Sequence, residues 1–372
     1  VTERELREAM RSVPVDDARA RTLAVVRAAY GEREPAPVRR RWAPALAVAA
    51  CLLAAIVVAA SAGAPGDAVA RWVRQVLGAG EPHARPALVH VPGGGRLLVR
   101  SAGGTWVVSS DGSRRRLGAY AGASWSPRGL YVLAWRGGEL TALEPSGPVH
   151  WSLARSGTIR VARWAPGDGY RIAYLVGGAL RIVNGDGTGD RRYAAARPVA
   201  PAWRPGAEHV LAFVDRARHI RVVAVDSRRE LWHSRPRSRV FALAWSPDGR
   251  RLVAASPRRL LLVRWRGRQL AVRRVPGGRV ADDVAWSPRG RLTVVQRDAR
   301  GSEVVVGGRV VFSGPGRFGH VAWSPTGRRL LVPWPEADQW LFLDRGRPAA
   351  VANIARQFGG RGFPDAAEWC CR

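Results

Sequence analysis

Asp282 and Asp283, just before Trp286, and His320, just before Trp323, are the residues of this chain best suited to ligand-binding or acid–base chemistry. Neighbouring carboxylates can hold a cation or pass a proton, and an imidazole titrates near neutral pH. The three are the candidate ligand-binding residues; in their ordinary role they would be solvated loop residues. Asn184, Asp186 and Asp190 in Asn184-Gly-Asp-Gly-Thr-Gly-Asp190 mimic a calcium loop. The remaining histidines (His83, His90, His150, His209, His219 and His233) are dispersed without metal-ligand spacing, and no Gly-x-Ser-x-Gly nucleophile elbow occurs. The expectation is therefore a chain that is not an enzyme, with no catalytic residue, no metal and no cofactor. Cys51 lies in an apolar run. Cys370 and Cys371 are adjacent, at about 3.8 Å between Cα atoms, closer than an unstrained disulfide prefers, so two unpaired thiols are expected there.

What must position these side chains is a repeat. A Pro-x-Gly-like turn leads into an apolar strand seven times, as in Ala123-Ser-Trp-Ser-Pro-Arg-Gly129, Ala244-Trp-Ser-Pro-Asp-Gly249, Ala285-Trp-Ser-Pro-Arg-Gly290 and Ala322-Trp-Ser-Pro-Thr-Gly327. Other copies surround Pro166 and Pro205, and His90-Val91-Pro92-Gly93-Gly94 is a degenerate first one. The prolines at 92, 127, 166, 205, 247, 288 and 325 are spaced by 35, 39, 39, 42, 41 and 37. A strand-rich period near 40 predicts a β-propeller in which each repeat is one four-stranded blade. In the fullest copy a short strand around Trp245 precedes the turn, and Leu252–Ala255, Leu260–Val263 and Leu270–Val275 follow as strands two to four. Each tryptophan is expected to wedge between blades, a packing role. Asp282, Asp283 and His320, ahead of their blades' first strands, should then share one face near the channel mouth. The array fits seven blades, with six possible because the first copy is degenerate. Residues 363–371, with Ala367-Glu368-Trp369, read as the start of a further repeat. One blade is thus expected to mix strands from both ends of the array, since a ring cannot leave its first and last blades unpaired. The C-terminal segment would supply its inner strand or lie beside one around Val89.

The formal charge is +31, and every one of the 60 basic residues is arginine. No arginine block with interleaved aromatics follows a single element, so nucleic-acid binding is not expected. A generally basic solvated surface, with attraction to anionic partners as the alternative, accounts for the charge.

Ahead of the repeats the chain changes character. Residues 43–62 are uncharged and predominantly apolar, about 30 Å long as a helix, which matches a bilayer core. Arg39, Arg40 and Arg41 precede the run, so the positive-inside bias puts the N-terminus in the cytoplasm and the propeller outside. Val48-Ala-Ala-Cys51 resembles a lipobox, but the run continues past it, and an uncleaved signal anchor is the reading adopted. The organisation expected is a cytoplasmic helical tail over 1–41, a transmembrane helix over 42–63, a juxtamembrane helix and linker over 64–86, and the propeller over 87–372.

The Trp-Ser-Pro-Asp-Gly turns resemble those of the TolB-type family of WD-repeat-like propellers, over about residues 87–369, in a membrane-anchored bacterial setting. The resemblance implies that Ser110-Asp-Gly-Ser-Arg-Arg115 and the Asn184–Asp190 segment are hairpins between third and fourth strands, which accounts for the latter without calcium. It also implies six blades as the usual number. Three functions compete. The leading one is a membrane-tethered extracytoplasmic scaffold that binds a protein, peptide or glycan on a propeller face. The alternative is a transmembrane signalling protein of anti-sigma-like layout, with the propeller as sensor and residues 1–41 contacting a cytoplasmic regulator, although the tail lacks a His-x-x-x-Cys-x-x-Cys motif. The third is an enzyme using Asp282, Asp283 and His320.

Overall fold

The computed structural model describes residues 84–371, apart from 168–169, 207–208, 235–238, 266–268 and 276–277. The expected tail, membrane span and most of the juxtamembrane segment lie outside the described residues. No helix among the described residues is long and apolar enough to cross a membrane.

The local chemistry of the Trp-Ser-Pro-x-Gly copies builds the turn that starts each hairpin. In the copy at 245–251, Gly249 N–H donates to the Ser246 carbonyl at 2.8 Å, and Ser246 Oγ accepts the Arg251 N–H at 2.9 Å. Ser126, Ser287 and Ser324 repeat both bonds, and all four serines are buried. Gly249 sits at φ +63°, a left-handed value that glycine adopts without the Cβ penalty. The serine hydroxyl thus satisfies a backbone donor that the turn would otherwise bury unpaired.

Each such turn joins the first two strands of an antiparallel four-stranded sheet, and the described residues form seven such sheets. Blade 2 is β4 (Gly122–Trp125), β5 (Val132–Arg136), β6 (Glu139–Leu143) and β7 (Val149–Ala154). Blade 3 runs from β8 (Ile159–Trp164) to β11 (Arg191–Ala195), and blade 4 from β12 (Ala202–Trp203) to β15 (Arg229–His233). Blade 5 runs from β16 (Ala242–Trp245) through β17 (Arg251–Ser256) and β18 (Arg259–Arg264) to β19 (Gln269–Arg274), the four strands read from sequence. Blade 6 comprises β20 (Val280–Trp286), β21 (Leu292–Arg297), β22 (Ser302–Val306) and β23 (Arg309–Gly314). Blade 7 comprises β24 (Ala322–Trp323), β25 (Arg329–Trp334), β26 (Gln339–Asp344) and β27 (Arg347–Val351).

Blade 1 is the exception in chain order. Its own strands are β1 (Arg96–Ser101), β2 (Gly104–Val108) and β3 (Arg114–Gly118), and its inner strand is β28 (Asp365–Cys370), antiparallel to β1. The fold is therefore an all-β seven-bladed propeller closed by a blade built from both ends of the array. Of the two arrangements expected for that blade, the inner-strand one holds. No strand forms around Val89, which is exposed; Leu88 and Val91 are buried in the cluster between blades 7 and 1. The degenerate first copy keeps its turn but yields its inner strand to β28. The number usual in the resembled family, six, does not hold for this chain.

The tryptophans do wedge between blades. Trp203 Nε1–H donates to the Arg163 carbonyl of blade 3 (3.0 Å), Trp245 to Ala202 of blade 4 (3.1 Å) and Trp286 to Ala244 of blade 5 (3.1 Å). Each indole thus fills apolar space and bonds the inner strand of the preceding blade. Arginines reinforce the contact. Arg96 lies over Trp125 and donates to the Gly129 carbonyl at 2.7 Å; Arg251 lies over Trp286 and donates to the Gly290 carbonyl at 3.2 Å. In both cases the first residue of one blade's second strand clamps the next blade's turn by a cation–π contact and a charge-assisted bond. Part of the arginine content is structural, which a reading of the charge as solvated surface did not anticipate.

Cys370 and Cys371 bring their sulfurs against each other beside the blade 2 turn. The hairpins at 110–115 and 184–190 do join third to fourth strands, with Asp111 and Asp186 accepting the N–H and Oγ–H of Ser113 and Thr188 in matching turns.

Candidate functional site

Antiparallel pairing fixes the two faces of the ring. The starts of the inner strands and the turns between second and third strands share one face; the Ser-Pro-x-Gly turns and the third-to-fourth hairpins share the other. Asp282 and Asp283 lie within β20, and His320 lies two residues before β24. The register between β20 and β21 slips at Asp282, where Ala281 faces Gln296 and Asp283 faces Val295. Such a bulge gives one strand an extra residue and re-aims the flanking side chains.

The two aspartates consequently part company. Asp283 reaches blade 7: Oδ2 accepts the Val321 N–H at 2.9 Å, and Oδ1 faces His320 Nδ1 at 3.4 Å. Asp282 stays on its own blade, with Oδ2 at 2.6 Å from Arg297 Nε and Oδ1 at 3.9 Å from Arg317. His320 is 66% exposed, and its pKa is raised above the ordinary 6.5. The hydrogen bond to Asp283 is the main cause, opposed by desolvation; Asp365 of blade 1 adds to the rise and Arg100 opposes it. Asp365 is itself paired with Arg100 at 2.8 Å. The mouth therefore gathers charged groups from blades 6, 7 and 1. Asp283 is committed to holding the start of β24, Asp282 to arginines, and an open imidazole is what the cluster offers a ligand.

The calcium-like segment is committed as well. Asp190 accepts from Tyr174 Oη (2.7 Å) and pairs with Arg155 and Arg181, both at 2.6 Å. Burial pushes the Asp190 pKa up, but the bonds from Arg181, Tyr174 and Arg155 outweigh it and hold the group below 3.8. Asn184 accepts from Arg171 at 2.7 Å. Among the described residues, no three His, Cys, Asp or Glu side chains are grouped to hold a metal ion.

The opposite face carries features that the sequence reading passed over. A cavity of about 560 Å³ lies between blades 6 and 7, and its rim holds Arg289, Arg291, Arg328 and Arg345. A second cavity of about 560 Å³, lined by His209, Asp226, Arg229 and Trp265, lies at blades 4 and 5. The signal for the first was present in sequence as arginines flanking turn glycines, in Arg289-Gly-Arg291, Gly327-Arg328 and Arg345-Gly346. It was masked because arginine flanks so many other turns.

No protein-family model matches the sequence, and no curated protein matches it. Solved structures do. The β-propeller domain of Myceliophteria thermophila Cps50 (Swd1) aligns with a TM-score of 0.54 and 14% identity, covering 73% of this chain and 96% of that one. A chain in the crystal structure of the mitotic checkpoint complex aligns with a TM-score of 0.51 and 18% identity, over 62% of this chain and 76% of that one. The Kuenenia stuttgartiensis hydrazine synthase structure aligns at 0.48, with 15% identity over 60% and 76%. At these identities the likeness shows a β-propeller fold and nothing finer.

Proposed function

We propose that this chain is a membrane-tethered binding scaffold whose propeller stands outside the cytoplasm and holds a protein or peptide partner on one face. One observation carries the reading. The two carboxylates that could have formed a reacting centre are engaged within the ring, Asp283 hydrogen-bonded to the Val321 backbone and Asp282 ion-paired with Arg297, whereas exposed arginines line an open cavity on the other face. A site of that kind recognises rather than transforms. The structural neighbours support it: one is a chain in a multi-protein complex. Tethering rests on the apolar run at 43–62, and orientation on Arg39, Arg40 and Arg41.

Protease added to intact spheroplasts tests the topology. Removal of the propeller with protection of the tail is expected; a propeller digested only after lysis would reverse the orientation. Crosslinking pull-down from native membranes, with the full chain and with one lacking residues 1–41, tests the scaffold. The same partner is expected from both. A partner recovered only when the tail is present would favour the signalling alternative, in which residues 1–41 contact a cytoplasmic regulator.

A further inference from the structure

The cavity between blades 6 and 7 combines two chemistries. Among the described residues, four of those lining it are arginine and none is acidic, while the partly exposed Trp323 and Val311 give it an apolar wall backed by buried Val306, Leu330 and Leu343. Arg328 lies 3.5 Å from Asp344, a pair largely open to water. Arg291 lies over the Trp323 ring at 5.8 Å, which leaves its guanidinium edge available for bidentate bonds. Arg289 and Arg345 are exposed.

Arg345 is informative in a second way. Arg345 and Gly346 form the two-residue hairpin between paired Asp344 and Arg347, with φ of +51° and +86°. That turn favours Asn or Gly at its first position, because other side chains pay a steric penalty at positive φ. The arginine there sets a charge at the rim of the cavity at a cost to the turn, as Arg218 and Arg228 also accept positive φ elsewhere in the ring.

From this geometry we infer that the cavity is the docking site for an acidic peptide segment of the partner, with an apolar side chain seated against Trp323 and its carboxylates held by Arg289, Arg291 and Arg345. The inference rests on the scaffold reading and gives it a site and a partner chemistry. Charge complementarity selects an anion, since guanidinium forks match carboxylates bidentately. The part-exposed Trp323 and Val311 favour a ligand that also carries an apolar group over a bare anion, which would leave that surface wet.

The test uses the full chain in detergent and fluorescein-labelled peptides of alternating Glu and Leu, or of alternating Glu and Ser with equal charge. The Glu/Leu peptide is expected to bind about tenfold more tightly, near 1.4 kcal/mol. Arg289→Glu and Arg345→Asn should each weaken it about tenfold, and binding should fall as salt rises. Arg345→Asn should at the same time leave Tm unchanged or higher, which separates lost binding from lost folding. Arg229→Glu, on the same face at blade 4, should leave affinity unaltered. Equal binding of the two peptides, equal loss with Arg229→Glu, or no Glu/Leu binding up to about 1 mM would overturn the assignment. So would phosphatidylglycerol vesicles binding through Arg289 while the peptide does not, since the anion would then be a lipid. If the native-membrane partner crosslinks to the Arg289→Glu chain as efficiently as to the unaltered one, the scaffold reading stands and this cavity is not its site.

Discussion

Replacing Trp369 by alanine tests whether the ring is held shut by the strand that returns from the far end of the array. Trp369 is 9% exposed, pairs with Leu97 across the β28–β1 ladder, and meets Phe342 of blade 7 edge-on at 5.7 Å. Its Nε1–H donates to the Gly94 carbonyl at 2.8 Å. Removing the indole leaves a cavity at the closing junction, which should cost about 3–5 kcal/mol. For a domain of this size each kcal/mol lowers Tm by roughly 2–4 °C, so a fall of roughly 10 °C is expected. Ending the chain after Gly362 should do more, because it also strips the partner from Leu97 to Arg100 and from the Trp125 N–H, which Glu368 now accepts at 2.6 Å. The opened β1 edge should then pair between molecules. Calorimetry, hydrogen exchange at Leu97–Arg100 and light scattering provide the readouts, with Val149→Ala, at an exposed position, expected to stay within about 0.5 kcal/mol. A Trp369→Ala chain melting within about 2 °C of the parent, or a truncated chain that stays monomeric with β1 protected, would refute closure by β28 as a determinant of stability.

Three further outcomes are expected. Trp245→Ala should lose about 3–5 kcal/mol with no special effect on ligand binding, since the indole is a wedge; unchanged melting with lost binding would show it to be part of a site. His320 should titrate above 6.5 by NMR and fall back in Asp283→Asn; because the folded pKa is the higher one, this pair's support is complete below 6.5 and fades as pH rises through the folded value. An unmoved His320 would remove the Asp283 contact from the account. Asp190→Asn should destabilise the junction of blades 2 and 3 by about 3 kcal/mol, as Arg155 and Arg181 lose their shared partner. Since the Asp190 pKa is depressed, that support is present above 3.8 and lost as pH falls through the folded value, so the variant should flatten the acid limb of a stability-against-pH curve.

Much of the ring was legible because the Trp-Ser-Pro-x-Gly copies each encode a wedge, a turn bond and a left-handed glycine, three local demands that recur at one spacing. The closing strand was legible from Ala367-Glu368-Trp369, since an unpaired blade is physically unacceptable. What happened at Val89 was not, because the first copy retains the residues of a turn whether or not it retains a strand. The meeting of Asp283 with His320 followed from their equal offsets before Trp286 and Trp323, which set them side by side on adjacent blades. The bulge that turns Asp282 away was hidden, since strand register depends on β21 as much as on β20. The arginines were hardest to read. One residue type serves as inter-blade clamp at Arg96 and Arg251, buried-acid partner at Arg181 and cavity rim at Arg345, and composition cannot tell these uses apart.

The closing blade also fixes an order of assembly during synthesis. Arg100 and its partner Asp365 are separated by 265 positions, so β1 leaves the ribosome well before the strand that completes its sheet. At about 5–20 residues per second, the nascent ring stands open for something on the order of ten seconds to a minute. Throughout that interval β1 presents an unpaired edge while the other six blades accumulate behind it. A nascent chain built this way depends on whatever shields that edge, whether a chaperone or the translocation machinery, and a message cut short within the array leaves a product that cannot close at all.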